Sequence, residues 1–202
     1  MLLKPLVMKY SISEVTEIIQ DRRTIYPEQY SDRKIHKEII EKLLNNAIWA
    51  PTHGSTQPWR FRVYTDNGLK ELSEFLGTSY TTFIGDKFDQ GKLDKIIKRP
   101  LLASAVIVVN MSRDKREKIP VVEEIEAVAC AVQNMHLTAT AYGIGAFWSS
   151  PKFIYSDLVK EFFELEENDQ CLGIFYLGYP KPELLWPKNQ RKPIEYVTKW
   201  IG

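Results

Sequence analysis

Between Pro100 and Asn110 the chain runs Leu-Leu-Ala-Ser-Ala-Val-Ile-Val-Val without a single charge. An apolar, β-branched run closed by a proline on one side and an amide on the other suits a strand buried on both faces, and such a strand needs a covering layer on each side of its sheet. The expected strand is Leu101 to Val109. Ten residues on, a helical pattern starts at Pro120 and carries Val121, Ile125, Val128, Ala129, Val132, Met135 and His136 until Gly143. Proline suits the first helical position and glycine the stop, so this long amphipathic helix is the expected central spine.

The other elements follow from periodicity. Ser11 with Glu14 forms a capping-box start, and Ile12, Val15, Ile18 and Ile19 then share a helical face up to Gln20. Ile35, Ile39, Ile40, Leu43, Leu44, Ala47 and Ile48 predict a second helix, ended before Pro51. Trp59, Phe61 and Val63 alternate with Arg60, Arg62 and Tyr64 as in a half-buried strand. Leu69 to Gly77 reads as a helix, and the polar stretch Thr82 to Lys98 has no decisive pattern. A strand near Ile144 to Trp148, a helix near Ser156 to Leu165 and a strand from Leu172 to Leu177 complete the set. With 202 residues, no repeats and no low-complexity linker, residues 1–202 are expected to form one α+β domain, its sheet flanked by helices.

The last stretch, about 180–202, differs. Pro180, Pro182, Pro187 and Pro193 oppose regular structure, while Trp186, Ile194, Tyr196, Val197 and Trp200 require burial. Such a segment either packs on its own domain or reaches out as an arm around a second subunit.

Charge limits the partners. The 27 Lys and Arg nearly cancel the 26 Asp and Glu, so no overall basic field points to nucleic acid or an anionic membrane. Lys4, Pro5 and Lys9 break up the apolar N-terminus too much for a signal-peptide core, and a cytoplasmic location is expected. Cys130 and Cys171 lack metal-ligand spacing and read as a reduced pair of small core residues. No metal site is expected.

Glycine-rich dinucleotide and phosphate loops, the zinc-protease helix and the serine-hydrolase elbow are all absent from the sequence. Three local groupings remain. Arg22-Arg23-Thr24, just past a helix, offers two guanidiniums and a hydroxyl to a phosphate, but equally reads as a solvated helix cap. Ala50 to Trp59, with Thr52, His53, Gly54, Ser55, Thr56 and Gln57, is either a ligand loop or a tight turn. Gly143 to Pro151 brings small residues and Trp148 to a strand end, where backbone can approach a planar ligand or merely connect helix to strand.

In this order, and with Leu177-Gly178-Tyr179-Pro180 and Arg191-Lys192-Pro193 behind them, these groupings resemble the nitroreductase flavoprotein family, particularly its smaller members. The resemblance spans nearly the whole chain, and Ala50-Pro51 through Gln57-Pro58-Trp59 is its most specific part. It implies a nitroreductase-like α+β fold with a central, mostly antiparallel sheet, and an intertwined homodimer that exchanges its C-terminal arms and holds FMN at the interface. It also implies hydride transfer from NADH or NADPH through flavin N5 to a nitroaromatic, quinone or similar small acceptor in ping-pong turnover, with no protein group acting as catalytic acid or nucleophile. By position, Arg22, Arg23 and Thr24 are expected at the phosphate and the pyrimidine side of the flavin, with Arg191 at the phosphate. Trp148, Ser149 and Ser150 are expected along the ring, and His53 and Ser55 against the flavin of the other subunit. Arg99 stands where many relatives carry lysine near the start of the apolar strand, and Lys188 is one residue further from Arg191 than in some members. A flavin store, sensor or flavin-modifying enzyme is the alternative activity that the same resemblance allows.

Overall fold

A computed structural model of the chain describes residues 10–188 and 190–202. The N-terminal stretch read above as no signal peptide falls, up to Lys9, outside the described residues.

The charge-free run does form the buried centre of the sheet, but later than expected. Strand β2 is Ala105–Met111, and all seven of its residues are buried. Leu101 and Leu102 instead close a helix, Gln90–Leu102, which carries Pro100 in its last turn. A proline that near the end of a helix forfeits little of the remaining ladder. The helix begins where the Asp89 side chain accepts from the Lys92 N–H at 2.9 Å. The polar stretch Thr82 to Lys98 therefore contains most of this helix, α4, and the end of α3, Asn67–Ile84, which runs one to two turns beyond the expected Gly77.

Strands β1 (Trp59–Tyr64), β3 (Gly145–Ser149) and β4 (Gln170–Gly178) complete a four-stranded sheet of order β1-β2-β4-β3, antiparallel throughout. Helices α2 (Lys37–Ala47) and α5 (Val121–Ala141) cover one face, where Leu43, Val128 and Met135 meet Ile107, Val109 and Phe175. On the other face α3, α4 and α6 (Asp157–Phe162) pack Leu72, Leu76, Val159 and Phe163 against Val106, Val108 and Ile174. Each such side chain, fully buried, contributes about 1.5–3 kcal/mol relative to exposure. The fold is thus α+β with a layer on each side of the sheet.

Several readings need correction. Cys130 is exposed, because its position on α5 turns away from the face that carries Val128 and Ala131, and only Cys171 is a core cysteine; both are free thiols. Val63 is exposed at the edge strand. Helix α1 (Ile12–Asp21) forms with the expected Ser11 cap, yet Ile12, Val15 and Ile19 lie open on its surface, where no element among the described residues covers that stripe.

Gly145 and Gly178 face one another across β3 and β4. A Cβ on Gly145 would meet Ile25 Cβ at 2.8 Å, and one on Gly178 would meet the Tyr30 ring at 2.3 Å. The absence of side chains is what lets the segment after α1 lie flat on the sheet edge, where the Ile25 N–H donates to the Ala146 carbonyl at 3.0 Å. The Tyr30 hydroxyl donates to the Ile25 carbonyl at 2.9 Å from the same place. Gly178→Ala is expected to destabilise the protein by about 1–3 kcal/mol through overpacking, read as a lower urea midpoint at unchanged slope; an unaltered midpoint would mean that Tyr30 moves freely.

Candidate functional site

The glycine pair brings two of the sequence groupings together. Thr24 bridges to Ala146, so Arg22-Arg23-Thr24 lies beside β3, the strand that continues into Trp148, Ser149 and Ser150. A third piece arrives from the tail. The Trp186 indole donates to the Asp21 carbonyl at 2.7 Å, and Arg23 Nε donates to the Pro187 carbonyl at 2.8 Å, tying the start of the tail to the end of α1. Trp186 is therefore packed on its own protomer and does not belong to the exposed apolar strip.

That tie sets Arg191 close enough to Arg22 for the two charges to repel. The Arg22 guanidinium is held below its usual range, by burial first, then by Arg191, then by Arg23. Among the described residues, none of these three arginines makes an ion pair with a carboxylate. Cations gathered without a counter-charge suit an anion, and the Arg22 side chain, with no hydrogen bond to any described residue, is available to hold one. Arg23 is different. Its Nε and Nη1 donate to the carbonyls of Pro187, Gln20 and Arg22, so it chiefly holds the backbone that shapes the site.

The sequence did not single out His136 as a support of this backbone, though it marked the residue on the core face of the spine helix. Its Nε2 lies 3.0 Å from the Arg23 carbonyl, to which the neutral ring donates. Burial, offset in part by that hydrogen bond, drives its pKa down to about 4, and the Arg22 charge adds to the fall. The unfolded imidazole titrates near ~6.5, so the unfolded chain takes up a proton that the folded one refuses. This linkage costs nothing above about pH 6.5 and removes stability progressively down to about pH 4, by on the order of 3 kcal/mol in all. Urea midpoints between pH 7 and 4.5 are expected to fall more steeply for the wild type than for His136→Gln, whose amide keeps a donor for Arg23; equal slopes would remove His136 from the account.

Beyond Ala146, Trp148 is 38% exposed at the end of β3. Its indole occupies the space a side chain at Gly173 would need: a Cβ there would sit 2.4 Å from Trp148 Nε1, and Gly173 has φ 143°. A glycine inside an apolar strand was the available signal for this close approach. Ser149 is half-buried and Ser150 exposed on the same edge. Arg99 lies in the last turn of α4, not at the start of the strand. It pairs with Glu28 at 2.9 Å and stands over the Phe147 ring at 5.1 Å from its centre, on the opposite side of the sheet from α5. Lys188 is exposed and pairs with no described residue.

The structure does not bring the Ala50 to Trp59 loop to these groups within one chain. His53–Ser55 form a single helical turn with left-handed backbone at Gly54, Ser55 and Gln57. Such outliers in non-glycine residues are a feature of constrained functional loops. His53 Nδ1 lies 2.6 Å from Glu123 Oε2, in the first turn of α5. His136 stands thirteen positions after Glu123 on the same helix, a distance along the axis of roughly 20 Å. His53 and Ser55 therefore stand at the far end of the spine helix from Arg22 and Arg191.

The family model described as Nitroreductase family matches residues 19–179. A protein of Escherichia coli strain K12 with the provisional name NAD(P)H nitroreductase YdjA is 31% identical over 161 residues, covering 80% of this chain and 86% of that one. A protein of Archaeoglobus fulgidus, provisionally named NADH dehydrogenase/NAD(P)H nitroreductase, is 31% identical over 175 residues, covering 85% and 88%. In three dimensions, the crystal structure of a nitroreductase-like family protein from Bacillus cereus superposes with a TM-score of 0.80 at 27% identity, over 96% of this chain and 98% of that chain. With the family model matched over most of the chain and a sheet of the same architecture, this chain belongs to the nitroreductase family.

Proposed function

We propose that this chain is an FMN-dependent oxidoreductase that draws on NADH or NADPH, reduces a nitroaromatic, quinone or similar small acceptor, and works as a homodimer. The observation that carries the proposal is the uncompensated Arg22, Arg23 and Arg191 cluster at the edge of β3. Its charge suits a phosphate monoester, and the flat edge formed by Trp148, Ser149 and Ser150 beside it suits a planar ring. FMN, when bound, supplies a two-electron carrier whose N5 accepts and returns hydride.

The protein's part is to bind and orient. Arg22 and Arg191 would hold the phosphate, with Lys188 adding positive charge nearby. Arg23, fixed by three carbonyls and His136, would present the backbone and Thr24 to the pyrimidine side, while Arg99 approaches from the other face of the sheet. His53 and Ser55, too far away in their own chain, would reach the flavin of a second copy. The apolar surface left open on α1 (Ile12, Val15, Ile19), at the end of α2 (Ile48, and Trp49 at 84% exposure) and along the final residues supports such a partner. Since neither donor nor acceptor requires a protein acid, one open face can serve both in turn, which gives ping-pong kinetics. Among the described residues no helix is long and apolar enough to cross a membrane.

The absorption spectrum of the purified protein tests the cofactor. A yellow protein that bleaches rapidly on anaerobic mixing with NADH or NADPH is the expected result. A colourless protein that gains no flavin when FMN is added would end the proposal, and flavin that binds without bleaching would make it a store or sensor. Parallel double-reciprocal lines are expected in steady-state assays; intersecting lines would replace ping-pong with a ternary complex. The shared site has its own consequence. FMN affinity should fall as the protein is diluted through its monomer–dimer transition, because a monomer owns half a site, whereas affinity independent of dilution would place His53 and Ser55 away from the flavin.

A further inference from the structure

The first turn of α5 carries two adjacent carboxylates with separate tasks. Glu124, 1% exposed, turns inward, where one oxygen pairs with Arg113 and the other accepts from the Asp114 N–H at 3.0 Å. The Asp169 carboxylate accepts from the Arg113 N–H at 2.8 Å, so the start of the helix and the connection from β2 are fixed to the core. Glu123 turns the other way and places Oε2 2.6 Å from His53 Nδ1. An ionised carboxylate only accepts, so Nδ1 carries a hydrogen. Nε2, which bonds to no described residue, is the nitrogen left to give or take a proton.

The turn that carries the ring is held from several sides. Ile119 lies beneath Gly54, where a Cβ would come within 3.3 Å of its Cδ1, and the Thr52 hydroxyl accepts from the Gln57 N–H at 3.2 Å. Ser55 and Gln57 are left-handed, a strain that a half-exposed ion pair does not repay. Stability therefore does not account for the arrangement, whereas proton transfer needs it: a ring fixed by one nitrogen with the other free. Among the described residues no other charge bonds to His53. Arg113 and Asp114 are engaged with Glu124, and Lys118, next to Ile119, is exposed.

We propose that His53 is a proton donor to the electron acceptor and that Glu123 is its positioning residue. The inference rests on the reading that this turn meets the flavin of a second copy. Hydride transfer onto the flavin needs no protein acid, but reducing a quinone consumes a proton. A quinone that receives a hydride from the reduced flavin gains both electrons and one hydrogen, and needs one further proton to become the hydroquinone. Nε2 of the protonated ring gives that proton to a carbonyl oxygen; the ring is left neutral with its hydrogen on Nδ1, and water restores the proton before the next turnover. Water could supply the proton directly, but a placed donor accelerates the step.

The test uses the purified protein with its flavin, reduced anaerobically by NADH or NADPH. It is mixed in a stopped-flow instrument with 2-methyl-1,4-naphthoquinone or with ferricyanide, which takes an electron and no proton. His53→Gln and Glu123→Ala are each expected to lower the ratio of quinone to ferricyanide reoxidation rates about ten-fold or more. Glu123→Gln, which keeps an accepting oxygen for Nδ1, should restore most of that ratio. In the wild type the ratio should fall as pH rises from about 5 to 8, and in His53→Gln it should stay level. By ¹⁵N NMR at alkaline pH, the His53 ring should appear in the Nδ1–H form, and in Glu123→Ala it should shift to the Nε2–H form that free histidine favours. Ratios unchanged by either substitution, or a ring already in the Nε2–H form beside Glu123, would overturn the proposal. Flavin that NADH and NADPH both fail to bleach would instead sink the oxidoreductase reading, and this inference with it.

Discussion

Deleting residues 193–202 is expected to turn the proposed homodimer into a weakly associating chain that loses FMN on dilution. The removed segment carries Ile194, Tyr196, Val197, Trp200 and Ile201, with Val197, Trp200 and Ile201 more than 80% exposed in the single chain. Covered by a second copy, each would contribute roughly 1.5–3 kcal/mol. If only a third of that survives the cost of ordering an extended arm, dimerisation should still weaken about 100-fold or more. The cut is placed after Lys192 for a structural reason. Tyr179 is buried, Trp186 bonds to Asp21 and Pro187 to Arg23, so a longer deletion would strip the protomer's own packing and remove Arg191 as well. Sedimentation velocity and flavin absorbance over a dilution series are the measurements. A truncated chain that sediments as a full dimer and keeps its flavin would show that the exposed arm does not hold the partner.

Arg22→Ala or Arg191→Ala is expected to weaken FMN binding ten- to a hundred-fold, while the apoprotein becomes no less stable. A charge-assisted hydrogen bond is worth about 1.5–3 kcal/mol, which corresponds to that range. The second half of the expectation follows from the geometry, because Arg22 is destabilised by its like-charged neighbours Arg191 and Arg23. Removing one charge relieves that repulsion in the empty site, so the apoprotein's melting temperature should hold or rise slightly. A purely structural arginine would do the reverse. Riboflavin, which has no phosphate, supplies the control, since its affinity should barely respond to either substitution. Added salt should weaken FMN binding to the wild type more than to the variants. Equal losses for FMN and riboflavin would mean that these arginines support the ring or the fold and do not bind phosphate.

Much of this architecture could be read in the residues, and the reasons are local. The 3.6-residue stripe of α5 and the Ser11 cap each follow from interactions within a few residues of chain and are found where expected, while the β-branched run does form a buried strand but only from Ala105 to Met111. Boundaries failed where a competing local rule was too weak to decide. Pro100 read as the boundary before a strand but lies in the last turn of α4, a helix that the sequence between Thr82 and Lys98 left undefined, because its own apolar residues are few and it is held by packing on α3. Membership of the family was likewise legible, since it rests on short motifs in a fixed order.

What those motifs do to one another was not legible. Arg22, Ala146, Pro187 and Arg191 are separated by up to 169 residues, and only the fold shows that two facing glycines, Gly145 and Gly178, let the arginine segment lie on β3 and the tail return to it. The resemblance set His53 and Ser55 against the flavin of the other subunit, and within one chain the length of α5 lies between His53 and the Arg22 segment. The sequence by itself determined most of the helices and strands, α4 excepted, because turns of helix and alternation along a strand are set by neighbours. The tertiary structure alone decided which charges meet without a counter-ion and which apolar stripes remain uncovered, because both depend on residues that approach only after the sheet has closed.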